Sequence, residues 1–229
     1  MDNAYFKLVL QVLVYNTPES KNASYFTFWQ FLVNENRTDD RIAVAISLPL
    51  SILPIVLNVL LFVAVLSNKQ LKSNPSYWLM LAMAVCDIAM PIYMLVYEIP
   101  VIIFRFNYIR IVSYESVTAV FLYKIFWYIV TCLFAVMALN RLASVMLFKH
   151  YHWIFSKRNT LILIVISCLV GLAIAVPLIT PCCYVTFVPG LYALAYINNK
   201  TWHGDVNRYV QLISMGIMIV CYSIVVLVL

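Results

Sequence analysis

Asn58, Asp87, Glu98, Lys124, Asn140 and Arg141 stand inside or at the edges of long apolar runs in this sequence. A charge at the centre of a bilayer costs about 2.5–3.5 kcal/mol on insertion scales, so ionisable groups at that depth mark functional sites by default. Lys124 requires an anion, and three sources fit: Glu98, Glu115 or an acidic ligand. Tyr128, Thr131, Ala135 and Ala138 follow it at helical spacing. That stripe is polar at one end and small at the other, which suits an inward-facing side. Lys124, Tyr128 and Glu98 are therefore the candidate ligand-binding residues, and an internal salt bridge is the alternative reading of Lys124.

Asn58 and Asp87 lie about nine and about eleven residues from the same end of their runs, which is roughly 13–17 Å deep at helical rise. An amide and a carboxyl at matched depth can hydrogen-bond between helices, as a functional hub or as glue. A carboxylate at Asp87 could also hold a cation. Arg141 follows Asn140 near the end of its run, where it either snorkels to headgroups or meets a partner. Enzyme chemistry finds no support. The sequence has no Gly-rich phosphate loop, no HExxH and no GxSxG. Its three histidines, His150, His152 and His203, cannot furnish the histidine boxes of a membrane di-iron enzyme. No cofactor and no metal centre are expected beyond a possible sodium ion at Asp87.

The elements that must position these residues are transmembrane helices. The 229 residues are 65% apolar and 10% charged, with mean hydropathy +0.94. Soluble domains run about 45–50% apolar and about 25% charged, so lipid must be the solvent. The net charge of +6 comes from scattered bases with no aromatic-interleaved patch, which argues against nucleic acid. Continuous apolar runs exclude a β-barrel, whose strands alternate. Five runs are long enough to span a bilayer: about 42–67, 76–104, 114–148, 160–181 and 206–229. They form an all-α membrane domain, 42–229, behind a tail, 1–41.

Lys69, Lys72, Lys149, Lys157 and Arg158 occupy two linkers that carry no acid. The positive-inside rule places those linkers in the cytoplasm and the N-terminus outside. N-x-[ST] glycosylation acceptors at Asn22, Asn36 and Asn199 all fall on the expected outer side. The opening MDNAYFKLVLQVLVY has no basic flank and reads as an uncleaved interfacial tail, with a cleaved signal as the alternative. Cys86, Cys132, Cys168 and Cys221 lie in spans as small apolar residues. Cys182 and Cys183 are adjacent, with no cysteine partner elsewhere on the outer side.

Asn58 in span one, MAVCD ending at Asp87, and LNRLA with Arg141 at the foot of span three resemble the rhodopsin-type receptor plan. LNRLASVMLFKHYHWIFSKRNTLILI at 139–164, with NVLLFVAVLSNKQLKS before it, resembles the nematode chemoreceptors called serpentine receptor class x. The resemblance covers roughly residues 52–225. It implies a rhodopsin-like helical bundle and a G-protein-coupled chemosensory receptor, with a small ligand among the outer halves of spans two, three and five. Asn58 and Asp87 would couple spans one and two, and Asn140 and Arg141 would meet a heterotrimeric G protein. Cell-membrane localisation is expected, and sensory-neuron cilia are implied by the family alone. Asn140 stands where the family plan has an acid, and Ser167 about where it has a tryptophan. No cysteine lies at the outer end of span three to bridge to the second outer loop. Five of seven spans are present, so the expectation is an incomplete receptor. The rival reading is a small multi-pass transporter or channel subunit, but no internal repeat relates 42–104 to 116–181.

Overall fold

The computed structural model describes residues 37–104, 114–180, 182–188, 192–196 and 201–228. Five helices in it are long and apolar enough to cross a membrane: Thr38–Ser67, Pro75–Phe104, Glu115–Met146, Lys157–Ile179 and Trp202–Val228. Span one is α1 (Arg37–Ser67), with Asp39 and Asp40 in its first turn, where carboxylates suit the helix dipole. The short α2 (Lys69–Ser73) is capped by the Asn68 side chain, which accepts from the Gln70 N–H at 3.0 Å. Asn74 repeats the device for span two, accepting from Ser76 N–H at 3.0 Å, with Pro75 in the first turn.

Span two begins as α3 (Pro75–Tyr93), widens into a π turn at Met94–Glu98, and resumes as α4 (Ile99–Phe104). Pro91 lies just before the wide turn. Its ring removes one ladder donor, and the register slip that follows re-aims Tyr97 and Glu98. Span three is α5 (Tyr114–Met146). After it come the single turn α6 (Tyr151–Ile154) and span four, α7 (Lys157–Ala175), which tightens into a 3-10 turn at Val176–Ile179. A hairpin follows, β1 (Val185–Val188) antiparallel to β2 (Ala193–Tyr196), with Val185 opposite Tyr196 and Val188 opposite Ala193. Span five is α8 (Trp202–Val228).

Span three is the central helix, packed on spans two, four and five and on β1. Span four meets it with small buried residues, Ser167, Gly171 and Ala175. A Cβ on Gly171 would lie 2.9 Å from the Ile129 backbone nitrogen, so the two helices touch almost backbone to backbone. One buried cluster joins Tyr93, Tyr97, Val120 and Tyr128 to Leu178 and Phe187 under the hairpin. A second, around Leu79, Leu133 and Met137, fills the bundle further along span three. Large apolar side chains are exposed along spans one, four and five, including Leu60, Leu169 and Ile219, as lipid-facing helices require.

The fold adds a bond the sequence does not suggest. Cys182 and Cys183, for which no partner is expected elsewhere on the outer side, are joined to each other in a vicinal disulfide. Adjacency does not exclude pairing, because neighbours can close a small ring. Cys183 is buried and accepts a hydrogen bond from the Thr201 hydroxyl at 3.2 Å, which holds the end of span four to the start of span five.

Candidate functional site

Between the π turn of span two, the adjoining stretch of span three and the hairpin lies a cage of aromatic rings. Tyr93 packs against Tyr123 with centroids 4.7 Å apart and against Tyr97 at 5.3 Å, and Tyr123 stacks on Trp127 at 6.2 Å. The Lys124 ammonium is 5.8 Å from the Trp127 ring centre and 6.0 Å from that of Tyr123. Those are cation–π distances, the bonding left to a cation that lacks an anion. Lys124 is only 9% exposed, yet among the described residues it makes no ion pair within 4 Å. Glu98, half-buried at the end of the π turn, acts on it electrostatically without reaching contact. Glu115 is exposed in the first turn of span three. The structure thus gathers Lys124, Tyr128 and Glu98 into one region but does not close the internal salt bridge.

The polar groups of this cage divide into satisfied and orphaned. Tyr97 shares a hydrogen bond of 2.8 Å with Ser116. His203, fully buried, has Nε2 2.8 Å from the Ile174 carbonyl and Nδ1 3.0 Å from the Tyr196 hydroxyl. A carbonyl only accepts, so Nε2 carries a hydrogen, and in the neutral ring Nδ1 accepts from Tyr196. Burial raises the Tyr196 phenol above its ordinary pKa, and Tyr128 beside it opposes that shift. By contrast, Tyr93 Oη and Trp127 Nε1 are buried with no hydrogen-bond partner among the described residues, while the buried Tyr128 Oη lies beside the Tyr196 hydroxyl and interacts with it. Thr160 Oγ1, in the first turn of span four at the other end of the bundle, is a further such group among the described residues. Buried polar groups are nearly always paired, and each exception requires a reason.

At the other end of span three the chemistry is closed. Asn140, 1% exposed, donates from Nδ2 to Ser76 Oγ at 3.0 Å and accepts at Oδ1 from Tyr151 Oη at 3.1 Å. Ser76 Oγ is 2.9 Å from Tyr151 Oη. Tyr151 has spent its only proton on Asn140, so Ser76 donates to Tyr151, and the three bonds form a ring. The ring ties the foot of span three to the first turn of span two and to α6. Arg141, beside it, is exposed and makes no ion pair among the described residues.

Asn58 and Asp87 share no hydrogen bond among the described residues. The Asn58 amide donates to the Pro54 carbonyl of its own helix at 2.9 Å, and the half-buried Asp87 makes no hydrogen bond among the described residues. Groups of three or more potential metal ligands are absent among the described residues. The acceptors Asn22, Asn36 and Asn199 lie outside the described residues. Sequence reasoning missed Tyr93, Tyr97, Tyr123 and Trp127, although both pairs are spaced four apart and so share a helix face. It also missed Ser76 and Tyr151, for which no local signal exists.

Five apolar helices, the third of them packed on spans two, four and five, with a buried polar cage at one end, define a polytopic helical membrane protein. Residues 48–229 match the family described as serpentine type 7TM GPCR chemoreceptor Srx, and the chain belongs to that family. The family is a receptor class and not an enzymatic one. No curated protein matches the chain.

Proposed function

We propose that this chain binds a small molecule with an anionic group and an apolar or aromatic body in the cage of spans two and three beneath the hairpin. One observation carries the reading: two buried polar groups without partners among the described residues, Tyr93 Oη and Trp127 Nε1, share a cage with a buried lysine that has no contacting carboxylate there. The anion would meet Lys124 and accept from the orphaned donors, and the rings would enclose the body. Glu98 steadies the ammonium while the cage is empty. In this reading the hairpin end faces outward, as do the start of span one and the sequons at Asn22, Asn36 and Asn199. The end bearing Lys69, Lys72, Lys149, Lys157 and Arg158 faces the cytoplasm, which the positive-inside rule supports. There the exposed Arg141, beside Asn140, meets a heterotrimeric G protein in the seven-span receptor to which these five spans belong. Asp87, half-buried and unbonded among the described residues, is the position for a sodium ion, with Asn58 as its neighbour in depth.

The test is ligand binding by the chain in phosphatidylcholine nanodiscs, read by tryptophan fluorescence. Phenylacetate and benzoate should bind, and neutral benzyl alcohol should bind at least ~10-fold more weakly, a difference of about 1.4 kcal/mol. Lys124→Met should remove that preference while leaving the helical content unchanged. Equal binding of acids and alcohol, or a preference that survives Lys124→Met, would overturn the reading. If Lys124→Met instead prevents folding and Glu98→Gln restores it, the lysine serves a salt bridge and not a ligand.

A further inference from the structure

At the basic end, away from the cage, a cavity of about 440 Å³ is lined by Lys69, Lys72, Ser73, Trp78, Lys157 and Leu161. Its walls come from three elements: α2, the first turn of span two and the first turn of span four. Three ammonium groups converge on it, and no carboxylate lines it. The lysines are exposed and make no ion pair among the described residues. The linkers around them, 67–76 and 149–159, hold no acid that could swing in. The rest of the lining suits a membrane boundary. The Trp78 indole donates to the Lys72 carbonyl at 3.2 Å, which fixes the ring across the cavity wall. Leu161, one turn beyond Lys157, is 58% exposed, and Ile162 and Val165 continue that lipid-facing side of span four.

We infer that this cavity binds the phosphorylated headgroup of an anionic lipid, in the leaflet that the basic end faces. Small-ligand sites occupy about 300–1,000 Å³, so the volume accommodates such a headgroup. Lysine ammoniums are point charges with three donors each, suited to phosphate oxygens that arrive at varied angles. A phosphomonoester carries about −1.5 to −2 charge at neutral pH, so a headgroup with two such phosphates matches three lysines better than a single carboxylate or phosphodiester does. Acyl chains would run along the exposed side of span four that begins at Leu161. Basic clusters beside transmembrane helices attract anionic lipids with about one kcal/mol per lysine, which is ~5-fold in affinity. Three lysines together set an expected ~100-fold effect.

The experiment is native mass spectrometry of the full chain released from nanodiscs that contain phosphatidylcholine with either phosphatidylserine or phosphatidylinositol bisphosphate. The bisphosphate lipid should be retained in preference to phosphatidylserine by at least ~10-fold, the equivalent of about one and a half lysine contacts. The triple variant Lys69→Gln, Lys72→Gln, Lys157→Gln should lose ~100-fold in retention. Removing charge outside the lining, with Lys149→Gln and Arg158→Gln, should change it less than ~5-fold. Ser73→Glu keeps all three lysines and adds a carboxylate, so it should weaken retention even if the triple variant fails to fold. Soluble inositol trisphosphate separates the sources. Weak competition by it assigns the site to the lipid, and competition at equal strength assigns it to a free phosphate ligand of the same chemistry. Equal retention of the two anionic lipids, or equal loss in both sets of variants, would reduce the cavity to diffuse surface attraction and overturn the proposal. Binding of an acidic peptide at the cavity with no lipid retained would also overturn it, in favour of a protein partner.

Discussion

Span three carries a polar cluster near each end, and the two are built on opposite principles. Around Tyr128, two buried donors, Tyr93 Oη and Trp127 Nε1, have no partner among the described residues and a buried lysine rests on aromatic faces. Around Asn140, roughly 24 Å along the helix from Lys124 at its ordinary rise, every group of the Asn140–Ser76–Tyr151 ring donates and accepts in turn. A closed ring in a low-dielectric setting is rigid, because breaking any bond strands two groups. An open cluster leaves desolvated groups uncompensated, and a ligand can supply what the protein withholds. The difference teaches where this molecule concentrates stability and where it stores binding capacity. The foot holds spans two and three in register, so that the cage can remain unsatisfied without collapsing.

The largest expected effect comes from breaking the helix contact on which both clusters depend. Gly171→Val adds a Cβ that would meet Ile129 Cγ1 at 2.6 Å and the Ile129 backbone nitrogen at 2.9 Å. Backbone cannot rotate away as a side chain can, so spans three and four must separate. Overpacking typically costs about 1–3 kcal/mol, and contact with main chain places this variant at or above the upper figure. Folded yield from detergent extracts should fall steeply, with both clusters lost together. Near-normal yield would mean that the two helices pack less closely than the geometry shows.

Asn140→Ala should be next. It leaves the Ser76 and Tyr151 hydroxyls with one bond between them where the ring had three. Stranding buried polar groups costs about 1–3 kcal/mol, so thermal unfolding in nanodiscs should move down clearly. Asn140→Asp sharpens the point. A carboxylate can still accept from Tyr151, but it has no hydrogen to donate to Ser76. It should recover at most part of the loss. Full recovery would show that the ring does not run from Asn140 to Ser76 to Tyr151 and back.

The sequence makes the helices legible because each apolar run is continuous and longer than a bilayer is thick. It also makes the inward stripe legible, and Lys124, Tyr128 and Ala138 are buried as their spacing requires. Depth along a helix follows from counting residues, which is why Asn58 and Asp87 look like a pair. Azimuth does not. Whether two side chains at one depth meet depends on how each helix is rotated, and span one contains Pro49 and Pro54. The amide of Asn58 turns back to the Pro54 carbonyl instead. The π turn after Pro91 is equally hidden, since a proline announces a broken ladder but not which turn will widen. The hairpin leaves a fainter trace in the β-branched and aromatic run VTFV, with Pro189 and Gly190 after it. Ser76 and Tyr151 are illegible because their meeting is decided by a loop helix of four residues.

The smallest expected effect is also the one that most directly divides the two clusters. Tyr93→Phe keeps the ring that packs 4.7 Å from Tyr123 and 5.3 Å from Tyr97, and removes only the orphaned hydroxyl. Deleting a group that is buried and unbonded removes a desolvation penalty and breaks nothing. The melting point of the empty chain should therefore stay put or rise, by no more than about 1 kcal/mol in stability. Ligand should reveal the lost contact. With phenylacetate present, the bound form gains stability in proportion to the logarithm of ligand over dissociation constant, so a weaker site gains less. If the hydroxyl donates to the bound anion, Tyr93→Phe should cut the phenylacetate-induced shift although the empty protein is unharmed. A loss of about 2 kcal/mol in the empty protein, comparable with Asn140→Ala, would mean that Tyr93 Oη already has a partner. The cage would then be as satisfied as the foot, and the contrast between the two ends of span three would disappear.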